Sequence, residues 1–171
     1  MAVTKILYRN GGLRQAIDYI TNPVKTDENL LTDYVRCDPG YAAQQMMDTK
    51  RALGKTAGRQ CYHIIQSFKP DEITPELAHE IARQFAAEHL PGYEAVIATH
   101  VDKTHIHSHI VFNSVNAVTG KMYHSTCENY SKQIRGVSDR LCKAHGLSII
   151  LESDETVSYT HLRAHETKAN L

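Results

Sequence analysis

The sequence predicts an α+β fold in which an antiparallel β-sheet is flanked by helices, as a two-layer sandwich with the helices on one face. Apolar runs with strand and helix periodicity follow one another in a mixed order, without the strict alternation of parallel α/β proteins. Residues 94–115 read as two strands joined by a short loop, which is an antiparallel arrangement. The 171 residues suit one domain with a sizeable core.

The first half of the chain is predicted to contain two strands and two helices. The Asn22-Pro23 pair ends the first helix, because a residue before proline avoids the helical conformation. Asp38, followed by Pro39, suits the N-cap and first turn of the second helix. Residue periodicity places these elements as strand 3–8, helix 13–21, strand 30–35 and helix 38–53.

The second half is predicted to be richer in strands. Thr74 before Pro75 is typical of a helix N-terminus, and Gly146 is typical of a helix C-terminus. The predicted order is strand 60–68, helix 74–89, strands 94–100 and 106–115, a brief strand 122–124, helix 126–145 and strand 148–151.

Composition excludes several classes of protein. No apolar run approaches membrane-spanning length, and the N-terminus lacks the pattern of a secretory signal. The four cysteines are far apart, which is typical of free thiols in a reducing cytoplasm rather than of a disulfide framework. We therefore expect a cytoplasmic protein. The formal net charge is zero, so contacts with a nucleic acid would have to come from local basic patches or a bound metal.

The histidines between His100 and His109 form the pattern most informative about function. His105, His107 and His109 alternate with other residues, so a strand would direct these imidazoles to one face. His100 lies seven residues before His107, far enough for the chain to bend back toward the same ion. Imidazole is the commonest metal-binding side chain. The sequence therefore predicts that His100, His107 and His109 bind a divalent metal ion.

Two further residues of this segment are predicted to support the metal ligands. Asp102 is placed to accept the N–H of a ligand imidazole and so to fix its tautomer, although an aspartate here also suits a turn. His105 is either a fourth ligand or a hydrogen-bonding partner of a ligand. Such a site, with open coordination positions, acts as a Lewis acid on a phosphoryl oxygen, but it does not by itself identify a substrate.

A resemblance to relaxases begins at His100, where the chain reads H-V-D-K-T-H-I-H-S-H-I-V-F-N, similar to the third motif of that family. Relaxases are the mobilisation nucleases of plasmids and conjugative elements, and they belong to the histidine–hydrophobe–histidine endonucleases. Other parts of the family are similar to the segments A-I-D-Y-I-T-N-P-V-K-T, H-I-I-Q-S-F and R-G-V-S-D-R-L-C-K-A-H-G-L-S. The resemblance covers nearly all of residues 1–156, and it implies the sandwich fold of those endonucleases.

The resemblance also implies an activity. A metal-dependent strand transferase would nick one DNA strand at a transfer origin, through a covalent 5′-phosphotyrosyl intermediate, and so start conjugative mobilisation. Tyr19 would be the nucleophile, and either Asp102 or a histidine outside the triad would be the base. The expected cofactor is Mg²⁺ or Mn²⁺, and the expected partners are single-stranded DNA, an accessory DNA-binding protein and a coupling ATPase. Contacts with DNA are predicted for Lys25, Arg59, Lys103 and Asn113.

The sequence leaves several alternatives open. Tyr8, at the end of the first predicted strand, is a second candidate nucleophile. Rolling-circle replication initiators place the tyrosine on a helix after the histidine motif, which in this chain would be Tyr130. A non-catalytic DNA-binding or structural metal module would use the histidines only to hold the fold, although structural zinc prefers four closed ligands. A hydrolase that uses metal-bound water would need no tyrosine.

The last residues differ in character from the rest. Residues 157–167 read V-S-Y-T-H-L-R-A-H-E-T and resemble a translated sequencing adapter. We therefore expect residues 1–156 to form the catalytic domain, cut short at its C-terminal end, and residues 157–171 to be a non-native tail. His161 and His165 have the spacing of ligands on a helix, but they are excluded on this ground.

Overall fold

The computed structural model describes residues 2–27 and 30–149 of the chain. The predicted boundary at residue 156 and the predicted tail 157–171 lie outside the described residues. The elements are β1 (Val3–Arg9), α1 (Leu13–Ile20), β2 (Thr32–Val35), α2 (Ala42–Ala52), β3 (Cys61–Ser67), α3 (Pro75–His89), β4 (Ala95–His100), β5 (His107–Asn113), a π-helix (Asn129–Arg135) and α4 (Gly136–Ala144).

The five strands form one sheet in the order β1-β3-β5-β4-β2, and every neighbouring pair is antiparallel. The predicted α+β class is confirmed, as is the hairpin formed by β4 and β5. β5 is the central strand, with β3 on one side and β4 on the other. Residues of β3 and β4, which are far apart in the sequence, therefore lie on either side of this strand.

Helices cover both faces of the sheet, so the expected two-layer sandwich is corrected to three layers. Successive side chains of a strand point to opposite faces. On β5, Ile110 and Phe112 pack in the larger core with α3 and α4, whereas Val111 packs in a second core with α1 and α2. Every residue of β4 and β5 is buried, and strands buried on both sides need a layer on each.

The helix caps explain where some helices begin and why one starts later than expected. Thr74 caps α3 as predicted, since its side chain accepts a hydrogen bond from the Leu77 N–H. Asp38 was expected to cap α2, but its carboxylate accepts a hydrogen bond from Gln45 and the helix begins at Ala42. Gly40 has a φ of +77°, a left-handed conformation that cannot continue a right-handed helix.

The remaining predicted elements are present in reduced or altered form. The helix expected over 126–145 consists of the π-helix followed by α4. The brief strand at 122–124 is a single bridge between Val115 and Met122, and the strand at 148–151 is a bridge between Ala2 and Ile149, with 150–151 outside the described residues. Within the described part of the chain, no helix is both long and apolar enough to cross a membrane.

Candidate active site

Three histidines meet on one face of the sheet, where β4 and β5 pair. His100 lies directly opposite His107 in the strand register, and His109 lies two residues further along the same face of β5. One nitrogen from each imidazole lies within 4.8 Å of those of the other two. All three residues are buried. The structure therefore brings the predicted ligand triad together.

Two of these histidines each use one ring nitrogen to donate a hydrogen bond to a backbone carbonyl group. His100 donates its Nε2–H to the carbonyl oxygen of Ile20 at 2.9 Å. His107 donates its Nδ1–H to the carbonyl oxygen of His105 at 3.1 Å. A carbonyl oxygen only accepts, so the position of the proton in each neutral ring is fixed. Nδ1 of His100 and Nε2 of His107 consequently keep a lone pair for a metal ion.

His109 has a different kind of partner. Its Nδ1 lies 2.8 Å from Nε2 of His63, which projects from β3 on the same face of the sheet. Its Nε2 is buried and has no hydrogen-bond partner among the described residues. Such a nitrogen costs free energy unless an unseen ion or water binds it. Three imidazoles with an orphaned nitrogen fit a divalent cation with open coordination positions.

Burial favours the neutral form of these imidazoles. Desolvation is the main reason that the pKa values of His100, His107 and His109 lie below the ordinary histidine value. Burial, reinforced by the charge of Arg9, lowers the pKa of His63 to about 4. Neutral imidazole is the form that binds metal ions. The cluster can therefore bind a cation near pH 7 without first releasing protons.

Tyr19 lies beside the triad, in the last turn of α1. Its ring centroid is 5.7 Å from that of His100 and 6.0 Å from that of His109. The residue is 46% exposed, so a substrate has access to it from solvent. The ammonium group of Lys25 lies 3.9 Å from the centroid of the Tyr19 ring. The accessible phenol of Tyr19 therefore lies next to the Lys25 ammonium group and to the buried imidazoles of the triad.

The two alternative tyrosines lie on the opposite face of the sheet. Tyr8 is paired with Tyr62 in the register of β1 and β3, and the side chain of Tyr62 packs in the larger core. The Tyr130 hydroxyl donates to the carbonyl oxygen of Thr4 at 2.7 Å, and its ring packs against the same core. The sheet therefore separates both hydroxyls from the histidines. Tyr19 is the candidate nucleophile that the fold places at the triad.

A family model described as a MobA/VirD2-like relaxase nuclease domain matches residues 19–147, a range that contains Tyr19 and the histidine triad. The chain belongs to the relaxase family. A curated relative, protein rlx of Staphylococcus aureus, is 34% identical over 94% of this chain and 49% of its own length. The group II intron-interrupted relaxase LtrB of Lactococcus lactis is 44% identical over 82% of this chain and 32% of its own length. The chain thus spans about half or less of these relatives.

Solved structures show that the relaxase fold is shared. A manganese-bound MobM relaxase domain in complex with oriT DNA of plasmid pMV158 has a TM-score of 0.62 and 14% identity, over 94% of this chain and 96% of that chain. A structure described as the molecular basis of vancomycin resistance transfer in Staphylococcus aureus has a TM-score of 0.56 and 12% identity, over 91% and 98% of the two chains. At this level of identity, the likeness establishes the fold.

The loop after β4 of this relaxase domain carries Asp102, Lys103 and His105. Asp102 and Lys103 are exposed. Burial is the main cause of the low pKa of His107, which Lys103 lowers further and Asp102 opposes. No hydrogen bond joins Asp102 to a ligand imidazole among the described residues, and the tautomer-fixing role expected of it belongs instead to the carbonyl groups of Ile20 and His105. His105 thus contributes its backbone oxygen.

Two residues predicted to contact DNA lie away from the triad. The Arg59 guanidinium packs over the ring of Tyr8 and donates to the hydroxyl of Tyr62 at 2.9 Å. Arg59 precedes β3 and lies about 20 Å along the strand from the position that pairs with His109. Asn113 is fully buried at the far end of β5, so the structure does not present its side chain to DNA.

Sequence reasoning missed His63 as part of the site. The strand that contains it was predicted, but its single histidine has no local pattern that indicates a metal site. His63 precedes His109 by 46 residues, and only the pairing of β3 with β5 brings the two imidazoles together. Knowledge of the strand order would have been needed to find it.

Proposed function

We propose that this relaxase domain nicks single-stranded DNA at a transfer origin, with Tyr19 as the nucleophile, and so starts mobilisation of a plasmid or conjugative element. The position of the Tyr19 ring beside His100 and His109 is the observation that carries the proposal. Membership of the relaxase family supports the reaction class, and the oriT DNA bound to the MobM relaxase domain supports the substrate class. The whole protein is expected to act in the cytoplasm with an accessory DNA-binding protein and a coupling ATPase.

The histidine triad is proposed to hold Mg²⁺ or Mn²⁺. His100 would offer Nδ1 and His107 would offer Nε2, as their carbonyl partners dictate. His109 would offer Nε2, the ring nitrogen that does not face His63. The MobM relaxase domain is manganese-bound, which supports the choice of cation. When bound, the cation supplies positive charge beside the non-bridging oxygens of the scissile phosphate.

The proposed reaction is a transesterification at phosphorus. The Tyr19 hydroxyl oxygen forms a bond to phosphorus, and the bond from phosphorus to the 3′ oxygen of the preceding nucleotide breaks. The phenol loses its proton, and the departing 3′ oxygen gains one. The 5′ end stays attached to Tyr19, and attack by a 3′ hydroxyl reverses the step. No water is consumed, so the energy of the phosphodiester is retained for religation.

Charged side chains on the loops near the triad are proposed to assist this step. The Tyr19 phenol must lose its proton, and the exposed Asp102 carboxylate is the candidate base. The Lys25 ammonium lies next to the Tyr19 ring and would stabilise negative charge on the phenolate or the phosphate. Lys103 is proposed to contact the DNA backbone from the same loop as Asp102. Arg59 would contact only a more distant part of the strand.

A covalent-capture experiment tests the proposal. A labelled single-stranded oligonucleotide that contains the transfer origin is incubated with the protein and Mn²⁺, and adducts stable in SDS are measured. Tyr19→Phe should reduce the adduct to background, whereas the matched variant Tyr130→Phe should retain it. EDTA should also abolish the adduct.

Three results would contradict the proposal. Loss of the adduct in Tyr130→Phe alone would favour an initiator of rolling-circle replication. DNA cleavage that survives in Tyr19→Phe would favour metal-bound water as the nucleophile. Tight DNA binding by the wild-type protein, without an adduct under any metal condition, would favour a binding module.

A further inference from the structure

His63 lies beside the proposed ligand His109, on the neighbouring strand and on the same face of the sheet. It belongs to β3, its backbone pairs with Val111, and its side chain reaches diagonally to His109. Both histidines are 3% exposed. The distance of 2.8 Å between Nε2 of His63 and Nδ1 of His109 is that of a good hydrogen bond. No role in metal binding followed from the sequence for His63.

A hydrogen bond between two neutral imidazoles can run in either direction, and metal binding selects one of them. Each neutral ring carries a single N–H. If Nε2 of His109 binds a cation, the proton of that ring must be on Nδ1, so His109 donates and His63 accepts. If His63 donates instead, the proton of neutral His109 is on Nε2, and that nitrogen cannot be a ligand. The direction of this hydrogen bond thus decides whether Nε2 of His109 can bind the cation.

The unpaired atoms of the pair agree with the first direction. Nε2 of His109 is buried without a hydrogen-bond partner among the described residues, as expected for an atom reserved for a cation. Nδ1 of His63 is likewise buried without a partner among those residues. With a cation on Nε2 of His109, the first direction leaves only Nδ1 of His63 without a partner in the described part of the chain, whereas the second direction leaves both nitrogens without one.

We infer that His63 is a positioning residue for the metal centre: it accepts the Nδ1–H of His109 and thereby presents Nε2 of His109 to the cation. This inference rests on the proposed metal-dependent function. The ligands would then have two kinds of support, since His100 and His107 donate to backbone carbonyl oxygens and His109 donates to an imidazole.

A neutral acceptor has a chemical consequence that a carboxylate would not have. Carboxylates are common partners of ligand histidines, and they add negative charge that makes the ligand more basic. His63 adds none, so three neutral ligands and a divalent cation keep a net charge of +2 on the site. The field acting on a phosphate is then stronger, and the cation is held less tightly. A carboxylate at position 63 should therefore increase metal affinity.

Manganese affinity measured by calorimetry tests the inference without any DNA. His63→Leu removes the acceptor and should weaken Mn²⁺ binding by about 10- to 100-fold, the usual effect of losing such a partner. His63→Gln keeps an acceptor oxygen at a similar reach and should restore most of the affinity. His63→Glu should bind Mn²⁺ more tightly than the wild type does. Thermal midpoints of the metal-free proteins check that each variant is folded.

A second measurement uses the wild-type protein and does not depend on any variant folding. Nitrogen NMR of the imidazoles, with diamagnetic Zn²⁺ in place of Mn²⁺, reports which ring nitrogens carry protons. Zinc should leave Nδ1 of His109 protonated and Nε2 of His63 unprotonated. A protonated Nε2 of His63 in the zinc-loaded protein would overturn the inference, because the hydrogen bond would then run the other way.

A reference variant separates failure of this inference from failure of the proposed function. His107→Ala removes a ligand and should abolish saturable Mn²⁺ binding. If the wild type and His107→Ala bind Mn²⁺ equally, the metal centre itself is refuted, and the inference with it. If the wild type binds Mn²⁺ and His107→Ala does not, the metal centre is supported. Equal Mn²⁺ affinity in the wild type and in folded His63→Leu would then refute the role of His63 and leave the metal centre standing.

Discussion

At the residue scale, the polar groups of the sheet divide into those that a substrate can reach and those that hold the strands. Asn113 was expected at the DNA, but its side chain donates to the Met46 carbonyl at 3.0 Å and to the Glu94 carboxylate at 2.7 Å. The same carboxylate accepts a hydrogen bond from Thr49 at 2.8 Å. Asn113 therefore links β5 to α2 and satisfies a buried acid at the end of the sheet opposite to the triad.

Replacement of Asn113 is expected to reduce stability and leave DNA recognition intact. Asn113→Ala removes two buried hydrogen bonds and leaves the Glu94 carboxylate short of a partner, which should lower the free energy of unfolding by about 1–3 kcal/mol. Urea denaturation measures this change. The affinity for a single-stranded oligonucleotide, measured where both proteins are folded, should be unchanged.

Lys103→Ala is the matched comparison, because Lys103 is exposed beside the histidine triad. Its stability should stay within about 0.5 kcal/mol of the wild type. Its oligonucleotide affinity should fall, and the dependence of log affinity on log salt should become shallower by about 0.7 for each lost phosphate contact. Weaker oligonucleotide binding by fully folded Asn113→Ala would instead restore Asn113 as a DNA contact.

At the scale of elements, local signals predicted strands and helices well, and non-local or conformational effects account for the differences. Thr74 before Pro75 is a local signal, and α3 begins there. The late start of α2 depends on the left-handed conformation of Gly40, which the sequence permits but does not dictate. The π-helix Asn129–Arg135 was not predicted, because a wider turn within a helix leaves the apolar pattern helical.

The N-cap of α3 should contribute to stability independently of the metal centre. Thr74→Ala removes the acceptor for the Leu77 N–H and should lower the free energy of unfolding by about 1 kcal/mol. Thr74→Ser keeps a hydroxyl and serves as the control, with little change expected. Urea denaturation gives the difference. A Thr74→Ala protein as stable as Thr74→Ser would show that solvent replaces the cap at no cost.

At the scale of the whole molecule, the two faces of the sheet have different roles. One face is covered by α3 and α4 and forms the larger core. The other is shared between the smaller core under α1 and α2 and the cluster around the histidine triad. The sequence predicted the triad because two of its members alternate on one strand. Its support by His63, and the second helical layer, arise from strand order and could not be predicted locally.

The buried histidines should make the metal-free protein sensitive to mild acid. Those whose pKa is lowered chiefly by burial are His63, His79, His89, His100, His107 and His109. A depressed folded-state pKa means that the unfolded chain binds more protons once the pH falls below about 6.5. Stability is therefore full above that pH and decreases as the pH falls toward 4, by about 1.4 kcal/mol per pH unit for each proton taken up on unfolding.

Thermal midpoints measured in EDTA between pH 7.5 and 4.5 test this expectation. The midpoint should be level above about pH 6.5 and fall below it. His63→Gln removes one group whose pKa is lowered to about 4, so its midpoint should fall less steeply over the same range. A carboxylate with a depressed pKa, such as Glu72 at about 2, reduces stability only below about pH 5, and it does so equally in the wild type and His63→Gln. If the thermal midpoints of the wild type and His63→Gln depend equally on pH, protonation of His63 does not destabilise the folded protein.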